Sequence, residues 1–403
     1  MSIKPVEIRG KLWKRRDRDG VDRDPEHHSL IGRVLGSKGG VSGGIRRVGL
    51  VGSVGLTGLA LVAAACGSSS STSSPTTAIV GSATTTGAPV TVHLGYFPNL
   101  THAPALVGVA GGIFSKDLAP DTLKTQTFSA GPAENQALLS GSIDIAFEGP
   151  SAALSAYSSS HGAVAIIAGA ASGGAGLVTK ASITSPSQLK GTTLGSPQLA
   201  NTQDVALRYW LKTQGYTTNT SGGGDVHVQP SATGNGTIVT EFKSGAISGA
   251  WMPEPYETEM LQAGGHLLVN EGSLWPGGKW ATTNVVVRTA FLQQHPATVQ
   301  RFLQGLVDSV KYIQANPATA QSTFNTQYAS LEGGKPLAPS VLTQAWSDLT
   351  FTVDPLASTM QTQVDHAEAV GLLKAPSNLA GIFDLTPLNA VLAADGEAKV
   401  AGL

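Results

Sequence analysis

Cysteine is nearly absent from this chain: Cys66 is the only one among 403 residues. No disulfide can form within it, so order must come from the size of an apolar core. With Cys66 set aside, no thiol nucleophile is left for catalysis. Charge is also scarce, at 13% of residues against about 25% in ordinary globular chains. Of the 26 basic residues 12 precede Cys66, as do 6 of the 27 acidic ones, which leaves 14 basic and 21 acidic residues and a net charge near −7 beyond it. A basic face for nucleic acid is thereby excluded. The nine histidines show no metal-ligand spacing, and His27-His28 lies near the start, so no metal site is expected. After Cys66 no apolar run is long enough to span a membrane.

What surrounds Cys66 is more telling. Arg46 and Arg47 precede an apolar run, Val48–Ala65, and Gly67 with a serine-rich tract follows the cysteine. Positive, apolar, small, Cys, polar is the layout of a bacterial lipoprotein export signal. Cys66 is then the lipidation site, and the rest of the chain lies on the extracytoplasmic face of the cytoplasmic membrane, held there through lipid. Ala63 stands where such signals usually carry Leu. A simple signal peptide or an anchor helix remains the alternative, and Arg46-Arg47 leaves Sec and twin-arginine export both open. The divisions are 1–47, an extension and basic region; 48–65, the apolar segment; and 66–88, a flexible tether.

The remainder is long enough to divide into two lobes. Short apolar strands alternate with helical segments, which indicates α/β architecture with parallel strands covered on both faces. Strands are expected over Val92–Tyr96, Thr125–Phe128, Ile143–Phe147, Val164–Ala168 and Gly176–Lys180. Helices are expected over Ala103–Leu118, Pro132–Leu139 and Pro150–Ser158. The pattern then restarts, with strands Thr192–Gly195, Asp225–Gln229 and Ile247–Trp251 and helices Thr202–Lys212 and Thr237–Phe242. Two heptapeptides align without gaps, Ser140–Ala146 (SGSIDIA) and Ser244–Ala250 (SGAISGA), and each leads into a Pro-containing turn. Two similar lobes follow from this. Asn284–Arg288 reads as a strand returning to the first lobe. The segments Phe291–Asn316, Thr319–Tyr328, Pro339–Leu349 and Ala357–Leu373 read as a helical tail whose role is packing. Lobe one is therefore 89–180 with 282–403, and lobe two is 181–281.

In doubly wound sheets ligands sit beyond the C-terminal strand ends, where helices begin. Helix N-termini offer unpaired N–H groups and partial positive charge, so they hold anions without Lys or Arg. Four turns suit this: Asn99–Pro104, Ser129–Pro132, Glu148–Ser151 and Gly195–Asp204, the last with Asn201 or Thr202 as cap. Any single turn of this kind is ordinary before a helix; four facing one crevice point to a ligand. Trp251, Trp275 and Trp280 either line a cleft or fill core. Pro276–Lys279 lacks the upstream Gly and following Ser/Thr of a phosphate loop.

Several stretches together resemble the solute-binding proteins of ABC importers for aliphatic sulfonates, taurine and nitrate. They are Gly95–Leu106 (GYFPNLTHAPAL), Gly131-Pro132 with Ala137–Asp144 (ALLSGSID), Leu189-Lys190-Gly191, Asn201–Arg208 (NTQDVALR), Trp251–Pro255 (WMPEP), Ser273–Lys279 (SLWPGGK) and Asp354-Pro355-Leu356. The resemblance spans Val90 to Leu392. It implies a type II periplasmic-binding-protein-like fold: two lobes of doubly wound mixed sheets, joined by two crossing strands, that close on a small anion and dock on a membrane permease. It implies a pocket of Asn99, Thr101 and His102 on one rim, and of Ser129, Gly131, Glu148, Gly149, Pro150 and Ser151 on the floor. Gly173 and Gly174 would sit near the crossing strands. Gln198, Asn201, Thr202, Gln203 and Asp204 would face them with Trp251 and Glu254. Glu148, Glu254 and Asp204 are at odds with an anion; they point away, bond to backbone, or read an amine or hydroxyl at the far end of the ligand. The expected molecule is a monomeric receptor for an organosulfonate, without cofactor or catalytic residue. A receptor for nitrate, bicarbonate or a pyrimidine precursor, and a sulfinate-cleaving enzyme on the same fold, are the rival readings; for an enzyme His102 is the nearby candidate and has no evident partner. A sensor domain is disfavoured because no signalling segment follows Leu403.

Overall fold

The computed structural model describes residues 88–374 and 377–403. Cys66, the apolar segment before it and nearly all of the tether lie outside the described residues. Among the described residues no helix is long and apolar enough to cross a membrane.

Eleven strands make two mixed sheets in this region. In chain order they are β1 (Thr91–Tyr96), β2 (Thr122–Thr127), β3 (Ile145–Glu148), β4 (Val164–Gly173), β5 (Ala175–Lys180), β6 (Thr193–Ser196), β7 (His227–Pro230), β8 (Gly249–Pro253), β9 (Gly265–Asn270), β10 (Ala281–Arg288) and β11 (Leu349–Phe351). One sheet runs β11-β4-β10-β3-β1-β2 and the other β7-β6-β8-β5-β9. In the one, β1 lies between β2 and β3 and parallel to both; in the other, β6 lies between β7 and β8 in the same way. In each, one antiparallel strand is then inserted: β10 between β3 and β4, and β5 between β8 and β9. These two strands carry the chain between lobes, at Gly173-Gly174 and at 271–280. Strands β3, β4, β8 and β10 are buried along nearly their whole length, which explains the apolar stretches Ile145–Phe147, Val164–Ala168, Ala250–Met252 and Val285–Val287 within them. The edge strand β2 is almost wholly exposed and correspondingly polar.

The two heptapeptides occupy equivalent places. Gly141 and Gly245 end the helices Gly131–Ser140 and Asn235–Ser244 in the left-handed region, each at φ 81°, where glycine carries no Cβ penalty. Ile143 and Ile247 then cover β1 at Gly95 and β6 at Gly195. A Cβ on either glycine would meet the isoleucine Cδ1, at 2.6 and 3.0 Å. The same two glycines pair with Ala146 and Ala250.

Three sequence expectations change. The helix expected over Ala103–Leu118 is two, Ala103–Ala110 and Ile113–Leu118, because Gly112 at φ 68° breaks the turn. The one expected over Phe291–Asn316 is also two, Thr289–Gln294 and Pro296–Ala315, since Pro296 has no N–H and begins a new helix. The tail does more than pack on lobe one. Phe302, Leu303 and Leu306 do fill that core, with Phe302 stacked on Phe114 at 4.9 Å. The helix Met360–Ala369, however, reaches lobe two: His366 stacks on Tyr209 at 3.6 Å, and the Ala369 carbonyl accepts from Lys212 Nζ at 2.6 Å.

Candidate functional site

The turns at the C-terminal strand ends meet between the lobes. Phe97, Asn99, Thr101, His102, Ser129 and Gly149 from lobe one, Pro197, Asn201, Gln203, Asn235 and Pro253 from lobe two, and Thr282 on crossing strand β10 enclose a hollow of about 20 Å³. That is room for one water-sized group. Phe97, Asn99, Ser129 and Asn235 also line an adjoining cavity of about 340 Å³, with Phe128, Thr233–Thr237, Tyr256 and Glu332 at its outer wall. The crevice is therefore narrow inside and wide at its mouth.

Helix N-termini supply its polarity. Those of Gly131–Ser140, Pro150–Ser160 and Asn235–Ser244 have no side-chain cap. The helix Thr202–Thr213 does: Asn201 Oδ1 accepts from Gln203 N at 3.2 Å. Asn99 caps its own short turn in the same manner, accepting from Thr101 N. His102 is buried, stacks on Phe97 at 4.4 Å, and accepts from Phe97 N through Nδ1. Its proton thus resides on Nε2, and burial lowers its pKa to about 3. It is a neutral donor. The lobes touch at the floor, where Ser151 N donates to Thr202 Oγ1 at 3.3 Å. A Cβ on Gly149 would lie 2.4 Å from that hydroxyl, so only glycine admits the approach.

The structure thus brings Asn99, Thr101, His102, Ser129, Gly149, Asn201 and Gln203 to the crevice wall, and places the other expected residues off it. Gly131 is a packing position, its absent Cβ 2.4 Å from that of Ala152. Ser151 and Thr202 form the lobe contact rather than the wall, and Pro150 opens the helix Pro150–Ser160. Gln198 is half-buried beside the loop, and its carbonyl accepts from Asn201 N. Gly173 and Gly174 line a different cavity, at the crossing. Trp251 is fully buried in the lobe-two core, where Nε1 donates to Glu271. Asp204 is also internal: it holds Arg208 at 3.1 Å and accepts from Ser196 Oγ and Ala200 N, fixing the loop that presents Pro197 and Asn201. Glu254 turns inward and accepts from Thr258 N and Oγ1.

Glu148 is buried beneath the floor beside Glu134, and neither carboxyl has a hydrogen-bond partner. Burial pushes Glu148 up to about 8. Burial, and then the neighbouring Glu148, raise Glu134 well above its usual value. Glu254 is likewise raised by burial, to about 8. At neutral pH these carboxyls are protonated, so the repulsion expected of them toward an anion is absent.

Asn235 and Thr282 escaped sequence reasoning. The repeat contained the signal for Asn235, since Ser231–Gly234 stands after β7 as Phe128–Ala130 stands after β2. Thr282 lies in a run that reads only as strand. Among the described residues no group of three or more His, Cys, Asp and Glu is placed to hold a metal ion.

The family model described as the NMT1-like family matches residues 86–326. No curated protein sequence matches the chain. Solved structures do. The alkanesulfonate-binding protein of Xanthomonas axonopodis pv. citri, bound to MOPS, is 17% identical, with 73% of this chain and 98% of that one covered and a TM-score of 0.62. The periplasmic nitrate-binding protein of Synechocystis PCC 6803 is 15% identical over 76% of this chain and 89% of that one, at 0.64. The ligand-binding component of an ABC-type import system from Staphylococcus aureus, with zinc bound, is 17% identical over 74% and 98%, at 0.60. At such identities the likeness establishes a shared fold.

Proposed function

Since the chain belongs to the NMT1-like family, we propose that it is an extracytoplasmic solute receptor that binds a small organosulfonate, alkanesulfonate or taurine-like, and delivers it to an ABC importer. The carrying observation is the crevice: residues of both lobes and of one crossing strand enclose it, uncapped helix N-termini adjoin it, and no Lys or Arg lines it. Such a site favours an anion through amide hydrogens and dipoles. The inner hollow suits one head-group oxygen, and the wider mouth suits an organic tail. Glu332 at the mouth offers an ammonium of a taurine-like ligand its counter-charge. Ligand touching both lobes stabilises their closed arrangement by its differential affinity for it. The binding proteins with which the fold is shared carry sulfonate and nitrate in their names, which supports both the anion and the importer as partner. Lipid anchoring at Cys66, a monomeric state and the two-lobe division at 180/181 and 281/282 belong to the same reading. So does a receptor rather than a catalytic role, for the His102 ring is neutral and, among the described residues, bonds through Nδ1 to Phe97 N alone.

Titration calorimetry with methanesulfonate, longer alkanesulfonates, taurine, nitrate, bicarbonate and pyrimidine precursors tests it. One-to-one retention of a sulfonate without turnover, weakened by Ser129→Ala, is expected. Preference for nitrate would move the assignment to an inorganic anion, and consumption of a sulfonate or sulfinate would make the protein an enzyme.

A further inference from the structure

A second cavity, of about 680 Å³, lies on the hinge and shares no lining residue with the crevice. Its volume is in the range of small-molecule sites. Both crossings contribute to it: Gly173 and Gly174 at φ 89° and 68° on one, and Lys279 and Trp280 on the other. The helices Tyr256–Gln262 and Pro339–Ser347 and the segment after β11 complete it. A hydrogen bond separates the two cavities, from Thr282 Oγ1, on the crevice side, to the Gly173 carbonyl at 2.6 Å.

Its chemistry is the opposite of the crevice's. Glu257, Asp348 and Asp354 line it, and Lys279, exposed at the rim, is the only basic side chain among the lining residues. Two lining residues each carry a buried polar atom without a partner. Trp280 Nε1 belongs to a residue 2% exposed, and Glu257 Oε2 to a residue 5% exposed. A buried donor and a buried acceptor left unmade each cost about 1–3 kcal/mol, and natural interiors keep few of them. One wants an acceptor and the other a donor.

We propose that the hinge cavity is a second ligand site, taking a small organic ammonium compound that also carries a hydrogen-bond-accepting oxygen. The ammonium group donates to Glu257, with Asp348 nearby, and the oxygen accepts from Trp280 Nε1. Burial, together with the neighbouring Glu254, Asp348 and Glu271, holds the Glu257 carboxyl well above its usual value in the unliganded protein; a cation in contact reverses that balance.

Ethanolamine is the probe, titrated calorimetrically into the full chain at pH 7 in 150 mM sodium chloride. Saturable one-to-one binding is expected, weakened at least fivefold by Glu257→Gln and by Trp280→Phe, with methanesulfonate affinity unchanged within twofold in both. Thermal melts confirm that each variant folds, and the two variants test the site independently. Absence of saturable ethanolamine binding to the wild type, or binding undiminished in both folded variants, overturns the proposal. Failure of every sulfonate to bind would refute the crevice reading alone and leave the ethanolamine result standing.

Discussion

Replacing Glu148 by glutamine removes a titrating group from the interior while nearly preserving its shape. In the folded protein the carboxyl is raised from 4.5 to about 8 by burial. Between those values the native state keeps a proton that the unfolded chain has released, so stability falls as pH rises. The slope is about 1.4 kcal/mol per pH unit, and the whole interval amounts to about 5 kcal/mol for this one group. Below pH 4.5 both states hold the proton and the contribution is complete; above 8 it is lost. Glutamine has no such dependence. Urea unfolding of wild type and Glu148→Gln at pH 5, 6, 7 and 8 should therefore show the variant gaining on the wild type by about 1.4 kcal/mol per unit. Whatever the amide itself costs is constant across the series and does not affect the slope. A stability difference that stays flat from pH 5 to 8 would falsify the claim that this carboxyl is held neutral under the crevice floor. The same ionisation has a binding consequence: sulfonate affinity should fall on the order of tenfold as pH passes 8, from charge appearing beneath the site.

Other perturbations test other parts of the molecule. Tyr209→Ala removes the stack on His366 that ties the tail to lobe two; an aromatic pair contributes about 0.5–1.5 kcal/mol, so sulfonate binding measured calorimetrically should weaken about two- to tenfold with the overall fold retained. Asp204→Asn leaves Arg208 buried without its counter-charge, and denaturant unfolding should show a loss of about 3–5 kcal/mol. Gly173→Ala places a Cβ 2.7 Å from the Asp348 carbonyl oxygen at a positive φ, and the melting curve should report a loss of about 2 kcal/mol or more.

Much of the architecture was legible because the central strands β3, β4 and β8 are buried on both faces and read as short apolar stretches between turn residues. The restart at Ser244–Ala250 revealed the second sheet, since the same glycine and isoleucine solve the same packing problem twice. Strands β9 and β11 were not legible. The first is a half-exposed edge after Gly264-Gly265 with no clear alternation, and the second is three residues long, set by its partner β4 rather than by its own composition. At the site, turn chemistry pointed to Asn99, Ser129, Gly149 and Asn201, all of which line the crevice. Asp204, in one of those turns, and Trp251, implied by the family resemblance, face inward instead, because proximity in sequence to a crevice does not fix which face a side chain takes. Asp204 and Arg208 are four residues apart on one helix and satisfy each other inward, and Trp251 alternates inward along β8. The neutral state of Glu148 comes from its burial, which no local pattern encodes.

The insertion of β10 between β3 and β4 has a consequence for biosynthesis. The sheet holding β5 to β9 is encoded by one continuous stretch, 175–270, and can close once that stretch has emerged into the compartment where the chain folds. The sheet begun earlier must wait with a gap at its centre until residues 281–288 emerge. At ordinary translation rates the delay is roughly 10 s. The half that starts first is finished last, and nascent β3 and β4 stand with open edges in the meantime.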